Sequence, residues 1–116
     1  MTSNSWGLAT NFERRESTRQ VCNLFATCRP FSHSRNDPFL AIAHDISSDG
    51  VGLWVRQGVA SRTLTVELRD HSGTYSLSKV VRVKRIGQHA AARSCIGGIF
   101  VKKLSQEELE GLLGNE

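Results

Sequence analysis

Between Gln20 and Val101 the chain alternates apolar and polar residues in short runs broken by turn residues, and this period of two is its strongest constraint on fold. A strand puts successive side chains on opposite faces, so such runs build a sheet with one dry and one wet face. The runs are Gln20 to Arg29, closed by Pro30; Phe39 to Ile46; Val51 to Arg56; Leu64 to Leu68; Tyr75 to Ile86; and Arg93 to Val101. In the fourth, Leu64, Val66 and Leu68 alternate with Thr63, Thr65 and Glu67. The connections carry turn chemistry: Ser47-Ser48-Asp49-Gly50, Gly58, Asp70-His71-Ser72-Gly73 and the stretch 87–92. Asp49-Gly50 reads as a hairpin signal because glycine accepts positive φ. Six antiparallel strands at this spacing predict an all-β fold, a small antiparallel β-barrel, since closure removes the exposed edges an open sheet must protect.

After the last run the period changes. Ser105-Gln106-Glu107-Glu108 has the form of a capping box, with Ser105 as N-cap and Glu108 at N3, and Leu104 and Leu109 stand at the staple positions. Leu109, Leu112 and Leu113 share one face and Gly114 is placed to end the helix, so a short C-terminal α-helix docks on the barrel. Residues 1–13 show neither period and read as a flexible segment ahead of a domain spanning 14–113.

The bulk numbers bound the function. A chain of 116 residues holds one modest core. With 39% apolar and 22% charged residues and no apolar run near the ~18–20 needed to span a bilayer, membrane insertion is not expected. Residues 1–10 lack the basic and apolar regions of a secretory signal, so the expected location is cytoplasmic. Cys22, Cys28 and Cys95 contain no CxxC pair and read as reduced apolar fillers rather than a zinc framework. His33, His44, His71 and His89 are scattered, read as surface or strand residues, and suggest no metal site. The net charge is +4 and arginine supplies 11 of the 15 basic residues, which favours anion recognition because the guanidinium makes planar two-point contacts. Arg56, Arg62, Arg69, Arg82 and Arg85 fall at the polar phase of strands and read as a solvated face.

Two stretches stand out against this background. Arg14-Arg15-Glu16-Ser17-Thr18-Arg19 clusters guanidinium groups able to meet phosphate or the O6/N7 edge of guanine. Arg15 and Arg19 span roughly 13 Å if extended and about 6 Å if helical, and either geometry can grip one small ligand. Asp45-Ile46-Ser47-Ser48-Asp49-Gly50 offers a carboxylate, a hydroxyl and a glycine turn. Taken alone, Asp45 and Ser47 could do no more than form turn bonds, with Gly50 present for its backbone. Yet simple alternation puts Asp45 in phase with Ala41 and Ala43, a small-residue face with room for a flat ring. Arginines for phosphate and one guanine edge, and a carboxylate for the donors at N1 and N2, imply a guanine nucleotide as ligand.

With RRxxxR before the first strand, DxSxxG between the second and third, Gly97-Gly98-Ile99-Phe100 in the last, and the closing LSxEE helix, the chain resembles a PilZ domain over about residues 12–113. The resemblance implies a six-stranded antiparallel barrel with a C-terminal helix and cyclic di-GMP as ligand. By the same resemblance Arg15 and Arg19 hold phosphates and guanine edges, and Asp45, Ser47 and Gly50 meet a guanine on the barrel surface. Arg14 occupies the position that influences whether one ligand or a stacked dimer is bound. Val51 stands where a second glycine is common, and Gly98 replaces a branched apolar residue, which is expected to soften the last strand.

The implied function is a cyclic di-GMP receptor or switch acting on an unidentified downstream protein, with no catalysis and no cofactor. The alternative is a PilZ-like adaptor that works through protein contacts without nucleotide. Single-stranded nucleic acid is a weaker candidate, because Phe25, Phe31, Phe39, Trp54 and Phe100 spread over different runs and phases. No nucleophile elbow, P-loop, HExxH or paired catalytic carboxylates point to an enzyme.

Overall fold

The computed structural model describes residues 18–31, 38–56, 59, 61–89 and 93–114. Six strands, β1 (Gln20–Pro30), β2 (Phe39–Ile46), β3 (Gly50–Val55), β4 (Thr63–Arg69), β5 (Ser76–His89) and β6 (Arg93–Phe100), precede one helix, α1 (Gln106–Leu113). All pairings are antiparallel, and the order β1-β2-β3-β6-β5-β4 closes through β4 against β1. The expected all-β barrel with a C-terminal helix is therefore the observed one. Strand bounds shift by a residue or two, and the fifth strand runs further: Gly87 lies inside β5, whose last pair is His89 with Arg93.

The alternation produces the core directly. Leu64, Val66 and Leu68 of β4, Val51, Leu53 and Val55 of β3, and Ile96 and Phe100 of β6 all point inward and are buried. Each such side chain contributes about 1.5–3 kcal/mol on leaving water.

The helix begins as its capping box requires. Ser105 Oγ accepts from the Glu108 amide at 3.0 Å, and Glu108 Oε1 accepts from the Ser105 amide at 2.9 Å. The Ser105 amide holds the Glu108 carboxyl below the usual carboxylate range, with Lys79 nearby adding to the effect. This contribution to stability is therefore present above the unfolded pKa and lost as pH falls through the lower folded value. Leu104, Leu109 and Leu112 close one end of the core, and Gly111 lets the helix lie on the Tyr75 ring, where an added Cβ would stand 2.7 Å from Cζ. Gly114 ends the helix in the left-handed conformation at φ 86°.

One glycine expectation needs correction. Among the described residues positive φ occurs only at Gly73 and Gly114, so Gly50 is not a positive-φ turn residue. Its requirement is spatial: a Cβ at Gly50 would lie 2.4 Å from the Gly98 carbonyl oxygen. Gly98 is spatially constrained too, since its own Cβ would lie 2.4 Å from Val81 Cγ1 and 3.1 Å from the Arg82 carbonyl oxygen. Close approach of β3, β6 and β5 demands both glycines.

Gly50→Ala and Gly98→Ala should each destabilise the barrel by about 1–3 kcal/mol, the usual cost of overpacking, with Gly50→Ala the worse because its obstacle is backbone. Urea denaturation checks this, and losses below about 0.5 kcal/mol, the range of a neutral surface change, would overturn the close-approach explanation.

Candidate functional site

The site is made by a break in the alternation. Ala43 pairs with Leu53, but the next pair is Asp45 with Gly52, so His44 and Asp45 both stand against Gly52 in a β-bulge. The bulge reverses the phase of β2. Ala41 and Ala43 before it and Ile46 after it face the core, while Asp45 turns outward. The expectation that Asp45 shares a face with Ala41 and Ala43 is thus corrected: regular alternation would have driven a carboxylate into the core, at a cost of several kcal/mol. β1 bulges at the same level, with Cys22 and Asn23 set against His44.

One crosswise row results, running Val21, Asp45, Gly52, Gly97 and Arg85 over β1, β2, β3, β6 and β5. A Cβ on Gly52 would lie 2.8 Å from both Asp45 Oδ1 and His44 Cε1, so the missing side chain lets the carboxylate and imidazole lie down on the barrel. At the other end the Arg85 side chain passes Gly97, with Nε 3.9 Å from where a Cβ would be. The row beside Asp45 is floored by Gly52 and Gly97 rather than by the two alanines, and the Asp45, His44 and Arg85 side chains occupy the space those glycines leave.

Arg19, just ahead of β1, reaches this row, where Nη1 donates to Asp45 Oδ1 at 2.6 Å. The last arginine of RxxxR and the first residue of DxSxxG, 26 residues apart in sequence, are thus in contact. Arg14 and Arg15, like all of residues 1–17, lie outside the described residues. Ser47 is buried and its Oγ accepts from the amides of Asp49 (3.1 Å) and Gly50 (3.2 Å), while its own amide donates to the Gly50 carbonyl (2.9 Å). The hydroxyl organises the turn by accepting both amides. The turn is tied to the barrel rim, since the Phe100 amide donates to the Asp49 carbonyl and the Leu104 amide to the Ser48 carbonyl.

His44 is more than the isolated strand residue anticipated. Its Nδ1 lies 3.5 Å from Asp45 Oδ2, its Nε2 is 3.4 Å from Cys95 Sγ, and its ring packs on Trp54 with centroids 4.7 Å apart. His44 faces outward by simple alternation, but Asp45 joins it only through the bulge, so no periodic pattern announces the cluster. The signals that do exist are the glycines at 52 and 97, which mark where side chains from neighbouring strands need space. The barrel also places Phe25 and Trp54 in one outer row through Ile42, while Phe100 is buried, so the aromatics are less scattered than the sequence suggested. Among the described residues no three His, Cys, Asp or Glu side chains converge to hold a metal ion, and no helix is long and apolar enough to cross a membrane.

No protein-family model and no curated protein matches the chain. Among solved structures it is similar to the inhibitor of motility MotI/DgrA of Bacillus subtilis, with TM-score 0.65 and 14% identity, covering 87% of this chain and 49% of that one. It therefore spans about half the length of that protein. It is also similar to the PilZ domain, solved with c-di-GMP, of YcgR from Escherichia coli, with TM-score 0.61, 13% identity and 86% of each chain covered. The fold is PilZ-like.

Both partners of the Arg19–Asp45 pair are about a third exposed, at 38% and 31%. Solvent screens such a pair, so Arg19→Ala and Asp45→Ala should each cost less than about 1 kcal/mol of stability, with a coupling energy of about 0.2–1 kcal/mol in a double-mutant cycle. Ser47→Ala should cost more, about 1–3 kcal/mol, because two amides at a buried turn lose their acceptor. The reverse ranking in urea melts would make Asp45, rather than Ser47, the organiser of the turn.

Proposed function

We propose that this PilZ-like barrel is a cyclic di-GMP receptor whose ligand sits on the outer face around Asp45 and is gripped by the RRxxxR segment. The observation that carries the reading is the contact of Arg19 with Asp45, which joins the two motifs on one surface. The glycine-floored row beside it supports the reading, because it lets Asp45 and Arg85, side chains able to pair with a base or a phosphate, lie on one surface of the barrel. So does the likeness to a PilZ domain solved with c-di-GMP.

The chemistry is recognition without a catalytic step. Asp45 accepts from the N1 and N2 donors of a guanine, while Arg15 and Arg19 donate to phosphate oxygens or to O6 and N7. Ser47 fixes the turn, and Gly50 keeps β3 close to β6. Arg14 lies over or beside a second guanine, which favours a stacked ligand pair. Fixing the residues ahead of Arg19 around the ligand costs about 1–2 kcal/mol per residue ordered and changes the surface shown to a downstream protein. The cytoplasm is the compartment this reading implies.

Calorimetric titration with cyclic di-GMP, with GTP and GMP as controls, tests the reading. Binding should weaken by about 1–3 kcal/mol in each of Arg15→Ala and Arg19→Ala, and the parent should take two nucleotides per chain, falling toward one in Arg14→Leu. Hydrogen exchange at amides 14–19 should slow at saturating ligand while the strands change little. A folded parent that ignores cyclic di-GMP would leave the nucleotide-independent adaptor as the better reading, and a parent stoichiometry of one would remove the stacked-pair role of Arg14.

A further inference from the structure

The three cysteines occupy different chemical settings. Cys28 is fully buried, and burial pushes its thiol up to about 12. Cys22 is partly exposed, donates to the Ala43 carbonyl at 3.3 Å, and is pushed up to about 11 by burial and then by the Asp45 charge. Both bury a neutral sulfur whose proton has no basic acceptor. Cys95 is also only partly buried, but its partner is an imidazole: Sγ and His44 Nε2 are 3.4 Å apart. The far nitrogen, Nδ1, lies 3.5 Å from Asp45 Oδ2. A proton on Nδ1 therefore faces a carboxylate and leaves the Nε2 lone pair to accept from the thiol. Access comes from β5, where Cys95 pairs with Gly87, which adds no side chain over the sulfur.

We propose that Cys95 is a nucleophilic thiol open to oxidation by hydroperoxides, with His44 as its base and Asp45 orienting the imidazole. The proton passes from Sγ to Nε2. The thiolate attacks one peroxide oxygen, an S–O bond forms as the O–O bond breaks, and the departing oxygen takes the proton from the imidazolium. For hydrogen peroxide the products are the sulfenic acid and water, with sulfur oxidised and peroxide reduced. The same arrangement supports attack on other soft electrophiles, because the thiolate is the reacting form in each case. This inference stands on the geometry of β2 and β6 and does not depend on nucleotide binding.

Alkylation of the intact chain by substoichiometric iodoacetamide, mapped by peptide mass spectrometry, reads out nucleophilicity at each cysteine. Cys22 is the comparator, because it too is partly exposed and exposure alone does not separate the two. Cys95 should label about tenfold or more faster than Cys22, the scale expected when a thiol gains a basic partner. With hydrogen peroxide and dimedone, the sulfenic acid adduct should appear at Cys95. His44→Phe, which retains a ring against Trp54 but no acceptor, should bring Cys95 down toward the Cys22 rate, and Asp45→Asn should slow it by a smaller factor. Equal labelling of Cys95 and Cys22 in the parent, or absence of a dimedone adduct at Cys95, overturns the proposal even if His44→Phe fails to fold. Parent-like labelling in a folded His44→Phe overturns the role of the base.

Discussion

One extra residue in β2 decides which way the Asp45 carboxylate faces, and with it whether Arg19 and His44 have a partner. Up to Ala43 the strand obeys strict alternation, and had it continued, the Asp45 carboxylate would have entered a core lined by leucine, isoleucine and valine. The bulge at His44 prevents this by setting two residues against Gly52, after which Asp45 faces water and Ile46 resumes core packing. Leaving one residue out of the ladder costs little beside the penalty for a buried unpaired carboxylate. The same step sets Asp45 outward beside His44, which alternation already turns out and which reaches Cys95 on β6, two strands away.

The glycines follow from this arrangement. Gly52 gives the doubled pair His44 and Asp45 somewhere to lie, and Gly97 continues the gap to Arg85, where β5 carries its own register shift between Val83 and Arg85. Gly50 and Gly98 do a different job, allowing β3, β6 and β5 to approach more closely than a methyl group permits. The four residues look alike in sequence, yet two clear a surface and two tighten a core.

That difference explains what could be read from the sequence. Period, turn residues and the capping box are local signals, so the six strands, Ser105 as N-cap and Gly114 as C-cap were all legible. The bulge was not, because it trades a local rule against the burial of a charge, and the trade shows only when Asp45 is followed to its partner strand. Asp45 and Arg19 were legible as candidates through their motifs, but their contact depends on the β1–β2 register. His44, Gly52 and Cys95 were passed over since each reads as ordinary strand content until three strands are placed side by side.

The Arg19–Asp45 pair also bears on how a ligand could be admitted. Its N–O distance of 2.6 Å is that of a strong charge-assisted hydrogen bond, yet both groups remain about a third exposed, at 38% and 31%. Water therefore competes for both, and the pair is worth at most about 1 kcal/mol. Such a contact holds the motif arginine at the rim without locking it there. Under the proposed function, a guanine would offer Asp45 two donors in place of one guanidinium and a phosphate would offer Arg19 a full charge in place of a shared one, so neither group would lose its partner in the exchange. Had the bulge been absent and the pair buried, opening it would have stranded an uncompensated charge, at about 3–5 kcal/mol. The exposure that makes this ion pair a poor source of stability is what would let it serve as a latch under the proposed function.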